Sequence, residues 1–358
     1  NPIALEWANG EGLLFRRLIS VDNEYMFTVT EEVENKTPGD VALKPYSRLF
    51  RFGAPQTPSV WIQHEGLLGV PGDEGLQEIT FADAIAEPKP QVFEGKTGGW
   101  VGITDKYWAA AIVPDQKARY RATLQGEPPA EAKQLPMFLA ETEGEASVIP
   151  SGGVTSVKPH LYAGAKHASI VEAYGEKLGI EKFDLMIDWG WFYFLTKTMN
   201  HALTWLYGIL GNFGLAILAL TVIIKLLLFP LANKSYVSMA KMKKLQPQME
   251  ALKVRYKDDT PRMQQELMQL YQKEKVNPAA GCLPILVQIP IFFALYKVLY
   301  TSIDMRHTPY WAWNNVLSII QQWHISSQQG VEIHLGANIR RTFGPLIRLF
   351  SKSSETKG

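Results

Sequence analysis

The chain has 358 residues, 36 Lys and Arg against 35 Asp and Glu for a net charge of +1, and a single cysteine, Cys282. That length favours more than one domain, the balanced charge implicates neither nucleic acid nor an acidic substrate, and one cysteine excludes an intrachain disulfide and a Cys-rich metal site. The averages conceal an asymmetry: residues 1–190 mix polar and apolar residues as a soluble domain does, whereas most long apolar runs follow Trp189. Several of the ten Trp and fourteen Tyr lie at the edges of those runs, as interfacial aromatic belts do. The opening "NPIALEW" carries no signal-peptide or anchor pattern and suits a processed start.

Residues 12–160 are strand-like, with "GLLFRRLISV", "EYMFTVT", "WVGITD", "YWAAAIVP", "ARYRATL" and "GGVTSVKPHLY" separated by turn signals such as Pro38-Gly39, Pro71-Gly72, Gly98-Gly99 and Gly152-Gly153. In "EYMFTVT", Tyr25, Phe27 and Val29 share one face and Met26, Thr28 and Thr30 the other, the period of a half-buried strand. Many short strands without intervening helical patterns predict a large antiparallel sandwich. "HASIVEAYGEKLGI" departs from the pattern and predicts one helix ending near Gly179.

From Trp189, "WGWFYFLTKTMNHALTWLYGILG" is aromatic and amphipathic, interrupted by Lys197, Asn200 and His201. Those polar groups are costly at mid-bilayer, so the stretch is expected to lie in the membrane interface over 189–211. Residues 212–231 carry one charge in twenty residues; as a helix they would reach about 30 Å, a bilayer core. The segment 232–277 follows, with ten basic residues (Lys234, Lys241, Lys243, Lys244, Lys253, Arg255, Lys257, Arg262, Lys273, Lys275) against five acidic ones between Leu231 and Asn277. The positive-inside rule places this segment in the cytoplasm and the β-rich domain, 1–188, outside.

Met242, Leu245, Met249, Leu252 and Tyr256 recur at helical spacing, as do Met263, Leu267, Leu270 and Tyr271. Between them "DDTPR" offers Thr260 as N-cap and Pro261 in the first turn, so a hairpin of two helices is expected. Its methionines fit a seam between the two helices or an adaptable contact face for partners. A second span is expected at 279–301, then part of a last one at 310–326 and a basic cytoplasmic tail at 327–358, with Arg340, Arg341, Arg348, Lys352 and Lys357 against Glu332 and Glu355. Residues 310–325 reach only about 24 Å as a helix, short of a crossing, so the sequence reads as closed up between 309 and 310.

Three enzyme motifs are missing from the sequence: G-x-x-x-x-G-K-[ST], H-E-x-x-H and G-x-S-x-G. His64, His160 and His167 occur with many carboxylates in the outer domain, where such groups are usually surface or satisfied core residues. No cofactor and no metal site are expected.

Lys225 stands out in "TVIIKLLLFP", about 20 Å into its span from the outer end and about 9 Å from the inner end. A lysine near a helix centre costs roughly 2.5–3.5 kcal/mol on insertion scales. Two readings are open: the stem snorkels to the cytoplasmic headgroups, or the ammonium is a fixed charge in a wetted cavity between helices. Thr221 lies one turn earlier on the same face, and Gln288, Asn314 and Asn315 lie in the other apolar segments; together they could line such a cavity, and singly they read as interhelical hydrogen bonds. Lys297, near the outer end of its span, reads as a snorkelling lysine.

"KVNPAAGCLPILVQIPIFFALYKVLY" carries Asn277, Pro278, Gly281, Cys282, Pro284, Gln288, Pro290, Phe292, Leu295 and Tyr296 in a pattern that resembles the YidC family of membrane protein insertases. "GNFGLAILALTVIIKLLLFPL", "MAKMKKLQPQMEALKVRYKDD", "IDWGWFYFL" and "NNVLSIIQQWHI" are similar to that family's first conserved span, cytoplasmic hairpin, interfacial helix and last span. The resemblance implies an α+β, multi-domain membrane protein: a periplasmic antiparallel β-supersandwich, then an α-helical transmembrane bundle with a cytoplasmic helical hairpin, in the bacterial inner membrane. Two spans of the family pattern are missing between 309 and 310, and an anchor is missing before Asn1.

The resemblance further implies a non-enzymatic insertase and chaperone with a hydrophilic groove open to the cytoplasm and a positive residue, usually arginine, in its floor. Lys225 falls at that position, keeping the charge without the planar guanidinium fork. The groove set is then Lys225, Thr221, Gln288, Asn314 and Asn315, and the partner-contact set on the hairpin is Met242, Met249, Met263 and Met268. Implied partners are nascent membrane proteins, the Sec translocon, the lipid bilayer, and the ribosome and targeting factors through the hairpin and basic tail. The alternative is a membrane-anchored periplasmic carbohydrate-binding or carbohydrate-modifying module, since supersandwiches often bind sugars.

Overall fold

A computed structural model describes residues 2–55, 63–131, 134–257, 259–274 and 283–305. The expected last span, the basic tail, Asn277, Pro278, Gly281, Cys282, Asn314 and Asn315 lie outside the described residues. The described residues fall into two compact units, one within 2–199 and 294–305 and the other within 200–293.

Strands of the first unit run β1 (Ile3–Ala8), β2 (Leu13–Val21), β3 (Met26–Asn35), β4 (Val41–Leu43), β5 (Tyr46–Phe52), β6 (Gly66–Pro71), β7 (Gln77–Thr80) and β8 (Gln91–Thr97). After them come β9 (Gly99–Thr104), β10 (Trp108–Val113), β11 (Arg119–Glu127), β12 (Met137–Gly144), β13 (Ser147–Ile149), β14 (Val154–Val157) and β15 (His160–Ala165). The larger sheet has the order β1-β2-β3-β15-β10-β9-β6-β7 with β14 also on β3; the smaller is β5-β12-β11-β8, and β13 pairs with β4.

Helices are α1 (Phe81–Ala86), α2 (Ala168–Leu178), α3 (Tyr193–Leu210), α4 (Phe213–Arg255), α5 (Thr260–Lys273) and α6 (Leu283–Thr301). A large β-sandwich followed by helices is therefore the architecture.

The central strands β6 and β9 are buried along their whole length, because both faces of the larger sheet are covered there. Alternation sends Leu67, Val101, Ile103 and Ile112 toward Leu124, Phe138 and Ala140 of the smaller sheet, and Leu68, Val70, Trp100 and Val113 toward Val171, Tyr174, Phe183 and Met186. Burying side chains of this size contributes roughly 1.5–3 kcal/mol each. Gly102 is required by close approach: a Cβ there would lie 2.2 Å from the Ala110 carbonyl oxygen.

The other end of the sheet is solvated and its register is written in charge. Arg16 faces Glu6 and Glu32 across β1, β2 and β3 and bonds both, at 2.7 and 3.2 Å, while Arg17 pairs with Glu31. The alternation expected in "EYMFTVT" begins one residue late: β3 starts at Met26, which is buried in the helix-side core. Tyr25 precedes the strand at φ 74°, and its ring fills the space over Gly164.

Helix ends follow local chemistry. Short α1, unexpected from the sequence, is capped by Thr80, whose Oγ1 accepts from Asp83 N, and it buries Phe81 and Ala84 in the sandwich core. Gly179 closes α2 in the left-handed conformation, φ 65°. Asn212 caps α4 by accepting from Leu215 N. Asp259, not Thr260, caps α5 by accepting from Arg262 N, with Pro261 in the first turn.

The expected span 212–231 and the start of the segment 232–277 share one helix. Helix α4 runs unbroken for 43 residues with Pro230 and Pro247 inside it, about 64 Å of helix. The Leu, Met, Lys and Gln residues that surround both prolines are strong helix formers.

Candidate functional site

Lys225 belongs to α4, whose segment Phe213–Ser235 is long and apolar enough to cross a membrane; among the described residues no other helix meets that length, and Leu286–Thr301 is a shorter apolar helix. Ala216, Ile217, Leu220 and Thr221 form a buried stripe on α4, while Leu215, Val222, Ile223, Leu226 and Leu227 are exposed. At about 100° per residue, Lys225 sits on the flank of the buried stripe, ~40° from Thr221 and ~100° from Leu226. Its side chain is half-buried. Thr221 donates its hydroxyl to Ile217 O at 2.7 Å. Gln288 is exposed on α6.

In the hairpin, Met242, Met249 and Met263 are half-buried, as are Leu252, Leu267 and Leu270, and Leu245 is buried, on the facing sides of α4 and α5. Tyr271 Oη donates to Met249 Sδ at 3.7 Å. Met268 points away, 56% exposed.

A second polar cluster, within the first unit, surrounds the end of α6. Ala294, Lys297, Val298 and Thr301 are buried at the i, i+3, i+4, i+7 spacing of one helix face. Lys297 is therefore not a snorkelling lysine. Its ammonium lies 2.7 Å from Asp188 Oδ2, and Asp188 accepts in addition from His64 N at 2.8 Å and Gly190 N at 2.9 Å. One turn further along α6, Lys106 Nζ stands 3.6 Å from the Tyr300 ring centre, and just past the helix His167 Nδ1 is 3.0 Å from Asp304 Oδ1.

Behind this cluster Lys166 is buried and donates to Thr104 Oγ1 at 2.8 Å and Asp105 O at 2.6 Å. Burial pushes its pKa down to about 8, against the opposing attraction of Asp188, Glu65 and Asp105. Burial and the nearby Asp105 push the Glu65 carboxyl up.

Lys197, expected as a polar interruption of the interfacial stretch, turns to α2 and the turn after it: it pairs with Asp184 at 2.7 Å and Glu172 at 3.2 Å. Burial lowers its pKa, but hydrogen bonds with Asp184, Tyr193 and Glu172 outweigh that and raise it.

Of the three outer histidines, His167 meets a carboxylate. His160 Nδ1 lies 3.2 Å from Thr28 Oγ1, and the His64 ring meets Leu67 O at 3.0 Å. Sequence reasoning missed Asp188, Lys166 and Asp304. The one signal pointing toward them was Lys297, a cation in an apolar run.

A β-sandwich followed by a long apolar helix is the plan of an inner-membrane protein with a periplasmic domain, and family models agree with it. One described as the YidC periplasmic domain matches residues 1–202, and one described as 60Kd inner membrane protein matches residues 205–310.

The chain belongs to the YidC family of membrane protein insertases. Membrane protein insertase YidC of Methylobacterium nodulans is 41% identical, aligned over 96% of this chain and 71% of its own length. The proteins of the same name from Beijerinckia indica subsp. indica and Methylobacterium radiotolerans are 51% and 49% identical over 88% and 87% of this chain. This chain spans about half the length of those two relatives, 52% and 51%.

Proposed function

We propose that the chain inserts proteins into the inner membrane and helps them fold, through a hydrophilic groove open to the cytoplasm in which Lys225 is the fixed positive charge. The observation that carries this reading is the position of Lys225 at the edge of the buried stripe of α4, ~40° from buried Thr221 and ~60° from exposed Val222, with its side chain half-buried. A lysine facing only lipid would have to reach the headgroups; one on the inner flank can be solvated in a cavity.

In this reading the first half of α4 and the whole of α6 cross the membrane, α3 lies at its outer surface, and the rest of α4 with α5 forms a cytoplasmic hairpin. The Lys225 ammonium attracts acidic groups in the outer segment of an incoming protein, and the wetted groove shortens the hydrocarbon path that this segment must cross. Gln288 adds a hydrogen-bonding group to the groove wall; for Asn314 and Asn315, outside the described residues, the same role rests on the resemblance alone. Partitioning of the substrate's apolar span into lipid supplies the driving force, and for charged segments the membrane potential contributes.

No bond is made or broken, so no catalytic residue is assigned. Half-buried Met242, Met249 and Met263 serve the hairpin seam, and exposed Met268 is the one of the four that offers a contact to a ribosome, a targeting factor or the Sec translocon.

Insertion of a single-span test protein into vesicles containing only this protein tests the proposal. Protease protection of the test span well above that in protein-free vesicles is expected. Protection equal to protein-free vesicles would overturn it.

A further inference from the structure

We propose that the Asp188–Lys297 ion pair is a register lock that fixes the depth and rotation of α6, which makes Asp188 and Lys297 positioning residues for insertion. The proposal rests on the reading of α6 as a groove helix. Its basis is geometric. Apolar residues packed on apolar neighbours carry little information about axial register, because sliding by a turn exchanges one aliphatic contact for another.

A buried ion pair is different: displaced by one turn, about 5.4 Å, it leaves two charges desolvated and unpartnered. Lys297 lies on the buried stripe of α6 with a side chain 11% exposed, against an Asp188 side chain 20% exposed. A methionine of similar length would fill that space without desolvating a charge, so the cation is not there for packing.

The socket is rigid on the Asp188 side. Two backbone amides, His64 N and Gly190 N, hold its carboxylate. Gly190 has φ 72°, and a Cβ built on it would lie 3.3 Å from Lys297 Cε, so the lysine stem lies over a residue without a side chain. Two further contacts hold the outer end of this segment: Lys106 on Tyr300, one turn after Lys297 in α6, and His167 with Asp304 in the short turn that follows the helix.

What the lock orients follows from helix arithmetic. Gln288 precedes Lys297 by nine residues, about 13.5 Å and half a revolution away. On α6 itself Gln288 therefore lies on the side opposite Lys297, where it is exposed. A rotation by one residue position, ~100°, would carry Gln288 off that side.

The test uses the full chain in vesicles with the single-span test protein, with Lys297→Met, Lys297→Arg and Asp188→Asn compared at equal protein content. In parallel, Gln288→Cys in a Cys282→Ser background is reacted with a water-soluble maleimide, with and without Lys297→Met. The lock predicts about ten-fold slower insertion for Lys297→Met and Asp188→Asn, and insertion within about two-fold of the unsubstituted chain for Lys297→Arg. It also predicts that Lys297→Met changes the labelling rate at position 288 by five-fold or more.

Lys297→Met inserting at the unsubstituted rate, or losing insertion while labelling at position 288 is unchanged, would overturn the lock. The second outcome would assign the pair to stability alone. An unsubstituted chain that inserts nothing would instead remove the insertase reading, and the labelling comparison would still decide the lock.

Discussion

Lys166 shows what burial does to a cation in this fold. An unfolded lysine holds its proton to about pH 10.5, whereas the folded chain releases it near pH 8 because burial opposes the charge. Between those values the unfolded chain binds more protons than the folded one, so the lysine's contribution to stability rises with pH across that window. It is constant below it, where both states are protonated. The full rise is worth about 3 kcal/mol.

Lys166→Met should remove it: thermal unfolding in detergent should show the stability of the unsubstituted chain relative to the variant increasing from pH 8 to pH 10.5. A difference independent of pH would show that Lys166 titrates normally. The same scale explains why Lys297 was misread. Sequence position gives a lysine's distance from the end of an apolar run, which is enough to suggest snorkelling. Which face of the helix it occupies depends on Ala294, Val298 and Thr301 being buried beside it. That its partner is Asp188 depends on the β-domain folding so that His64 and Gly190 present their amides to that carboxylate.

Elements were legible where local chemistry closes them. The α2 helix, ended by Gly179, and α5, with Pro261 in its first turn, followed from capping rules alone, with the cap of α5 one residue earlier than expected. Asp259→Ala should therefore cost α5 about 1 kcal/mol, seen as several-fold faster hydrogen exchange at the amides of Arg262 and Met263. Unchanged exchange there would mean that packing on α4, not the cap, holds the first turn.

The unbroken α4 was not legible, because Pro230 and Pro247 argue locally for breaks, and a 43-residue helix overrides them by cooperativity. Nor was the onset of β3. The apolar alternation in "EYMFTVT" is real, but Tyr25 is drawn out of the strand by the open space over Gly164, a strand distant in sequence.

At the scale of the whole molecule, the β-rich half and the helical half were visible in composition, and the runs "WVGITD" and "YWAAAIVP" announced strands. That they are covered by a second sheet on one side and by α2 with Phe183 and Met186 on the other is a matter of topology, which no local pattern encodes. Lys225 sits between these cases. Lys225 and Thr221 were evident as polar residues one turn apart, while their place beside the buried stripe of α4 required the fold.

The measurement that bears most directly on this account compares Lys225→Glu, Lys225→Arg and the unsubstituted chain in reconstituted vesicles, with a single-span substrate whose translocated segment is acidic. A groove charge predicts loss of insertion for the glutamate variant, by ten-fold or more, and near-normal insertion for the arginine variant. Equal insertion by all three would contradict the assignment of Lys225 to the groove.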